Sequence, residues 1–459
     1  MIRIFLNFIK WIFLSAFGLY FLFVASNWGD EDLKPEVQAI LNWHSPATQD
    51  DNGYLILLGM SAPFDQDALH VGKAKLAENI ARFETARKTQ TIPPAQNEVN
   101  AFIPYQESAG LQDYLCRYNQ AENCIEFYLM HDANTVKQVI ASQEVLLARF
   151  AALKASNQFT EISVPMSNID FSGISAYLVA IELEYMQAAQ DIAAGNENAG
   201  VQRLVDNALH NRTMLKNSVT HGSRALMLSR VEQDVRILSE LMAKYPALAK
   251  SYKQTILPLL NPISTSEYNL EAPFINDRAD SILMFDFTLD ATKALGRNAQ
   301  LSFFDMLKGV NFQPNATLNF LYDLKTLRLK LATMDAQQID AVKAQVEAEK
   351  KSLLGFGYKP YYFKNSIGKI LVTTLDVSGL LDDFEAFHDI EGYMRLVRLQ
   401  LDSLQAGNSK TDLERLLAKY PDPYTNKPMR FDSNKGILVF KGRSDSQVNE
   451  YRVAIAPII

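Results

Sequence analysis

Cys116 and Cys124, in the string LCRYNQAENC, are the only two cysteines among 459 residues. A zinc clip spaces its cysteines by two to four residues and needs a second pair of ligands. Here seven residues intervene, and His131, seven residues past Cys124, has no other histidine within sixty residues on either side. A thiol oxidoreductase needs C-x-x-C, whose close spacing helps set the thiolate pKa. Spacing thus argues against metal and redox chemistry. In an oxidising compartment the pair is expected to close a structural disulfide, with two free buried thiols as the alternative. Closing so short a loop contributes roughly 2 to 3 kcal/mol in the loop-entropy account.

Other chemistry is sparse. The sequence holds no G-x-S-x-G, H-E-x-x-H, Walker loop or G-x-G-x-x-G. In HGSRA, His221 stands two residues from Ser223, and residues that close on a helix do not face each other, so Ser223 is expected as a helix N-cap after a turn. His210 is expected at the surface. NIDFSGIS imitates a calcium loop with Asn168, Asp170, Ser172 and Gly173, but its twelfth position is Val179 where a glutamate is required. TLDVSGLLDDFE places Gly379 sixth and Glu385 twelfth, yet begins with Thr374 instead of an aspartate. The acid pairs Asp65 with Asp67 and Asp382 with Asp383 read as solvated surface. Asp286, Asp290, His388, Asp389 and Glu391 are the only moderately clustered candidates for a hydrolytic site. The sequons at Asn211 and Asn315 matter only in a eukaryotic secretory pathway. No catalytic residue, metal ligand or cofactor site is therefore assigned.

The elements that would position these residues are mostly helical. Leu178, Ile181, Tyr185, Ala188 and Ile192 keep a 3,4,3,4 spacing that stops at Gly195, as at a helix C-cap. Leu228, Val231, Val235, Leu238, Met242 and Tyr245 do the same up to Pro246, and Phe387 to Leu404 up to Gly407. Val136 to Phe150 reads as one amphipathic helix, and Val201–Lys216, Leu318–Leu331, Ala336–Leu354 and residues 73 to 88 as others. YLILLGM, behind Asn52-Gly53, reads as a buried strand, and IGKILVTT as strand-like or extended. ISTSEYNLEAPFIND reads as a loop, ILMFDFTLDATKAL as a strand or a helix. Thr411 with Glu414 makes a capping box for a short helix ending at Tyr420. MRF, GILVF and YRVAIA then form a small β-meander. LMAKYPAL and LLAKYPDP echo each other at 241 to 248 and 416 to 423, but no 34-residue period connects them, so a repeat array is not expected.

Hydrophobic residues make up 48% and charged residues 21%, which excludes wholesale disorder. The net charge of −7 and the lack of a long basic run argue against a nucleic-acid partner. The N-terminal stretch is different: Arg3 and Lys10 precede Trp11 to Val24, which carries no charge, and GDED follows at 29 to 32. From Ile4, about 21 residues give roughly 31 Å of helix, enough to cross a bilayer core. Basic residues before and acidic residues after it predict a cytoplasmic N-terminus and an exported body. Val24-Ala25-Ser26 leaves a cleaved signal peptide as the alternative.

NSIGKILVTT, DIEGYMRLVRLQL and PDPYTNKPMRFDSNKGILVFKG, with the paired-cysteine stretch, resemble a group of uncharacterised proteobacterial inner-membrane proteins with one N-terminal anchor. The resemblance covers about the last 95 residues and residues 111 to 155, implies a bacterial envelope setting and carries over no catalytic residue. DPYTNKP is also similar to the tail of type II secretion pseudopilins, whose processing site this chain lacks.

The expected fold is mainly α: residues 1–28 a transmembrane signal anchor, 29–110 an irregular juxtamembrane region with a short strand, and 111–260 a helical domain with the disulfide. Residues 261–407 follow as a mixed, mainly helical domain and 408–459 as a short helix plus β-meander. The expected partners are the bilayer, through the anchor, and an envelope protein. The expected role is a binding, scaffold or assembly factor, with an envelope hydrolase built from dispersed residues as the alternative.

Overall fold

A computed structural model describes residues 2–44, 51–89, 110–116, 123–165, 171–268, 270–296, 312–331, 334–354, 364–375, 382–406, 410–444 and 450–455. The helices are α1 Ile2–Ser26, α2 Pro35–Leu41, α3 Gly53–Gly59, α4 Ala68–Thr89, α5 Cys124–Met130, α6 Ala133–Ser142, α7 Glu144–Lys154, α8 Phe171–Ala193, α9 Glu197–Asn217 and α10 His221–Lys244. They continue as α11 Pro246–Ser251, α12 Lys253–Ile256, α13 Thr265–Tyr268, α14 Glu271–Gly296, α15 Pro314–Leu327, α16 Ile339–Leu354, α17 Ser366–Leu375, α18 Asp382–Ala406 and α19 Lys410–Lys419. Strands β1 Arg430–Asp432, β2 Ile437–Lys441 and β3 Glu450–Ala454 form one antiparallel sheet in that order. The chain is thus mainly α-helical with a small C-terminal meander, as its patterning predicts.

The 3,4 stripes become the core. Tyr177, Ile181, Tyr185 and Ala188 on α8 are fully buried, and α8 packs against α9, α5, α7 and α3. Leu228, Val231, Val235, Leu238 and Met242 seat α10 between α9 and α18. Each such side chain contributes roughly 1.5 to 3 kcal/mol by leaving water. Gly195, at φ +85°, ends the α8 segment in the left-handed conformation expected there. In the meander, Leu438 pairs with Val453 and Phe440 with Tyr451, all four buried, so one face of the sheet lies on α18.

Several expectations fail locally. YLILLGM is a helix: Asn52 accepts the Tyr54 N–H as its cap, and Gly59 and Gly72 let α3 and α4 approach so closely that a Cβ at either would overlap a carbonyl oxygen of the other helix. IGKILVTT is also helical, as α17, where Val372 is buried and Ile370 exposed. The apolar runs are too short for periodicity to separate strand from helix, and packing decides. The expected loop at 263 to 277 contributes α13 and the start of α14, and ILMFDFTLDATKAL takes its helical option. The single helix from Val136 to Phe150 is two, broken at Gln143, which ends α6 and precedes α7. Helix α10 is capped by Thr220, whose hydroxyl accepts the Ser223 N–H, so Ser223 is not the cap. Helix α19 begins at Lys410, one residue ahead of Thr411.

The α1 segment stands apart from this packing. Trp11 to Leu14 and Leu19 to Leu22 are exposed in two unbroken runs of four. Each run covers a full helical turn, so no face is turned to the body. Among the described residues no helix is long and apolar enough to cross a membrane. In α1 the side chains are described continuously from Asn7 to Leu22, about 24 Å of helix.

Candidate functional site

The cysteines come together. Cys116, just past the short 3-10 turn Leu111–Tyr114, and Cys124, the first residue of α5, lie at disulfide distance with Cα atoms 5.5 Å apart, both buried. Glu240 on α10 accepts the Cys124 N–H at 2.7 Å and the Ile125 N–H at 3.2 Å, so a remote side chain satisfies the start of α5. Arg236 holds Glu240 in turn at 2.8 Å.

Next to this clip, α5, α8, α9 and α10 enclose a row of polar side chains that the sequence reading missed. The Tyr128 hydroxyl donates to Glu182 at 2.6 Å, and Arg230 lies 3.7 Å from the same carboxyl group. The Tyr185 hydroxyl and the Asn211 amide donate to the two oxygens of Asp234, at 2.6 and 2.8 Å, and Tyr177 donates to Asn211. Burial pushes Asp234 up to about 7 and raises Glu182, since charge in this medium is costly. IELEY, with acids inside an otherwise apolar stripe, was the visible signal. With each acid bonded to neighbouring side chains, the row reads as a polar lock between four helices.

Of the dispersed candidates, His388, Asp389 and Glu391 share α18, with a His388 ring nitrogen 3.5 Å from a Glu391 carboxyl oxygen, and Asp286 lies apart from them on α14. Asp389 is fully buried on α18, and its oxygens accept from the Tyr424 hydroxyl at 2.6 Å, the Arg443 N–H, and the Ser444 N–H and hydroxyl. It fastens the turn after β2 to α18. A ring nitrogen of His388 faces the Met334 carbonyl at 3.2 Å, and Glu391 is engaged by Arg395. Asp286 lies on α14 among Phe285 and Phe287, whose clusters contain Leu318 and Leu55 instead of the residues around His388; the Asp290 side chain lies outside the described residues. Asp67 accepts the Leu69 N–H and so caps α4, while the side chains of Asp382 and Asp383 lie outside the described residues. His210 is half-buried, its ring edge-on to Phe150, where burial lowers its pKa to about 4; it is not a surface histidine.

Neither calcium-loop imitation holds a metal-binding arrangement in its described part. Residues 376 to 381 and 166 to 170 lie outside the described residues, Glu385 pairs with Lys343 at 2.8 Å, and Gly173 and Val179 are buried in α8. Among the described residues no group of three potential metal-binding side chains exists.

A polar cavity lies where the chain leaves α1. Residues 27 to 34 form a collar on α15 and the start of α17. Asp30 accepts the Asn315 and Ala316 N–H groups at 2.7 and 2.9 Å, capping α15 from 285 residues away in sequence. Asn27 accepts the Asn365 N–H, Gln313 donates to the Gly29 carbonyl and Asn319 to the Asp32 carbonyl, each at 2.8 to 2.9 Å. Beside the collar opens a cavity of about 360 Å³ whose lining includes Glu31, Lys34, Asp323, Lys364 and Lys369, with Phe320 and Leu353 as apolar wall. Lys364 donates to Glu31 at 2.6 Å, which holds that carboxyl below its usual range, and Lys34 pairs with Asp323. A second, smaller cavity of about 160 Å³ lies between α10 and α18, floored by Leu228, Phe387, Ile390 and Tyr451.

Comparison of the chain with protein-family models, with curated proteins and with solved structures finds no match. The site must be judged on its own chemistry.

Proposed function

We propose that this chain is a membrane-anchored protein of the bacterial envelope, with a cytoplasmic N-terminus and a periplasmic helical body that binds or scaffolds a protein partner. The observation that carries the reading is the all-round exposure of apolar side chains on α1. A helix apolar on every side belongs inside a core or a bilayer, and α1 has no core around it. Its helical backbone from Ile2 to Ser26 measures about 37 Å, against a hydrocarbon core of about 30 Å. Trp28, 83% exposed just past the helix, has the position of an interfacial aromatic. The cysteine pair at disulfide distance fits an oxidising compartment. A binding role is favoured over hydrolysis because Glu240 and Asp389 serve a helix start and a turn, while Glu182 and Asp234 are taken up by tyrosine and asparagine side chains between helices.

Topology reporters fused after residue 35, with non-reducing mass mapping of Cys116 and Cys124, test the location. A reporter active only on the cytoplasmic side, together with two free thiols, overturns it. Crosslinking in intact cells followed by purification tests the role: a defined envelope partner supports it. Recovery of none, while the purified chain turns over an esterase, phosphatase or glycosidase substrate, overturns it.

A further inference from the structure

We propose that the collar cavity is a binding site for the phosphate-bearing headgroup of an anionic phospholipid, drawn from the bilayer that α1 enters. The inference rests on the membrane reading above and adds a ligand and a site to it.

Position comes first. Glu31 follows Ser26, the last residue of α1, by five residues, so the chain can carry it no more than about 18 Å from the helix end. The polar layer of a bilayer occupies a comparable zone outside the hydrocarbon. The collar also folds back onto α15 through several hydrogen bonds, which keeps the cavity near the helix end instead of at the tip of a flexible tether.

Charge comes second. Among the described lining residues three lysines, Lys34, Lys364 and Lys369, stand with two carboxyl groups, Glu31 and Asp323, a net charge of +1. Partial burial and the nearby charge of Lys364 lower the pKa of Lys369, an arrangement that a bound anion relieves. A phosphodiester is singly charged and matches the excess, while Phe320 and Leu353 face its glycerol carbons.

The third element is the surface beside the lysines. Helix α17 brings Lys369 into the lining and at the next two positions exposes Ile370, at 61%, and Leu371, at 40%. Lysine next to exposed large aliphatic residues on a short amphipathic helix is the pattern of a segment lying in the headgroup layer.

The test uses the full chain, purified in detergent and reconstituted into vesicles of phosphatidylcholine with or without phosphatidylglycerol. Lipid retained on re-extraction is read by native mass spectrometry, and hydrogen exchange is followed over residues 364 to 375. We expect phosphatidylglycerol to be retained in preference to phosphatidylcholine and to slow exchange in α17. Lys364→Gln with Lys369→Gln should cut the preference about thirtyfold, the effect of two lysines beside an anionic surface. The charge-preserving Lys369→Arg should keep most of it, and this variant keeps the test valid should the double variant misfold. Stable insertion into both vesicle types with no preference overturns the headgroup site and leaves the anchor standing. Failure to associate with either type overturns the membrane reading itself. Equal protection of α17 by inorganic phosphate without lipid overturns the lipid in favour of a small soluble anion.

Discussion

Asp389→Ala separates a structural from a catalytic use of the most completely buried acid in the C-terminal half. In the folded chain Asp389 acts only as an acceptor, for two hydroxyl and two backbone N–H donors. Alanine removes all four acceptor contacts, but the losses are unequal. Tyr424 also reaches the Glu385 carbonyl at 2.9 Å and keeps a partner, and Arg443 is near solvent, where water replaces the carboxyl oxygen. Ser444 is 4% exposed, and its N–H and its hydroxyl lose the Asp389 carboxylate at a place that water does not readily reach. Two buried hydrogen bonds to a charged acceptor, at roughly 1.5 to 3 kcal/mol each, give a destabilisation of about 4 kcal/mol. Asp389→Asn keeps one acceptor oxygen and the shape of the side chain, so it should cost about half as much. The assay is urea denaturation of the detergent-solubilised full chain, paired with hydrogen exchange over β2 and β3. If the meander detaches from α18 in the alanine variant, exchange there rises by up to about a thousandfold while α8 and α9 are unaffected. An alanine variant with an unchanged midpoint and unchanged exchange in β2 refutes the structural assignment.

The buried acid Asp234 gives a pH dependence of definite sign. Its pKa moves from 3.8 in the unfolded chain to about 7 in the folded one, so between these values the folded state holds a proton that the unfolded state has lost. Stability should therefore fall as pH rises from about 4 to 7, by at most about 4 kcal/mol. Asp234→Asn should flatten that slope and stabilise the protein at pH 8 but not at pH 5; identical midpoint differences in the variant and the parent count against it. Replacing both Cys116 and Cys124 by serine should cost about 2 to 3 kcal/mol, and a reducing agent should lower the parent to the same midpoint. Gly72→Ala drives a Cβ into the Leu55 carbonyl, a backbone group that cannot turn aside. It should cost about 3 kcal/mol and expose α3 to limited proteolysis, whereas an alanine at the surface position Gly18, where a Cβ meets nothing, should be silent.

The helical body was legible because its stripes are long. Five or six apolar residues at 3,4 spacing define a face whatever it packs on, and α8, α10 and α18 appear where their stripes are. The meander was legible for the corresponding reason, with turn residues Asp432 to Lys435 between short apolar runs. YLILLGM and IGKILVTT failed because a stretch of seven or eight residues is too short for its periodicity to separate strand from helix. What settles YLILLGM as α3 is Gly72, thirteen residues beyond Gly59 and on another helix, where the absence of a side chain lets two helix backbones touch. The Ser223 cap failed for a related reason. Glu161, from a distant loop, accepts the Val219 and Thr220 N–H groups and the hydroxyls of Thr220 and Ser223, and so fixes the turn that makes Thr220 the cap.

The candidate site was not legible, because its parts do not share a segment. Lys34 and Lys369 are separated by most of the chain, and neither has a neighbour in sequence that marks it as a ligand. The clue lay in residues given another meaning. GDED after the apolar helix served as a charge signal for topology, and the stretch beyond it read as an irregular juxtamembrane region. Asp30 also acts on a distant helix, since α15 begins at Pro314 with no acceptor of its own for the next N–H groups, and Asp30 supplies it. A polar run that looks like linker because it lacks apolar periodicity is thus a set of hydrogen-bonding groups for a helix 285 residues downstream. That coupling has a physical consequence for any anchored role. If α1 is an anchor, a flexible tether would leave the body free to tumble above the bilayer, whereas a collar bonded to α15 and Asn365 would transmit the direction of α1 to the body and hold one face of it, with its lysines, toward the lipid.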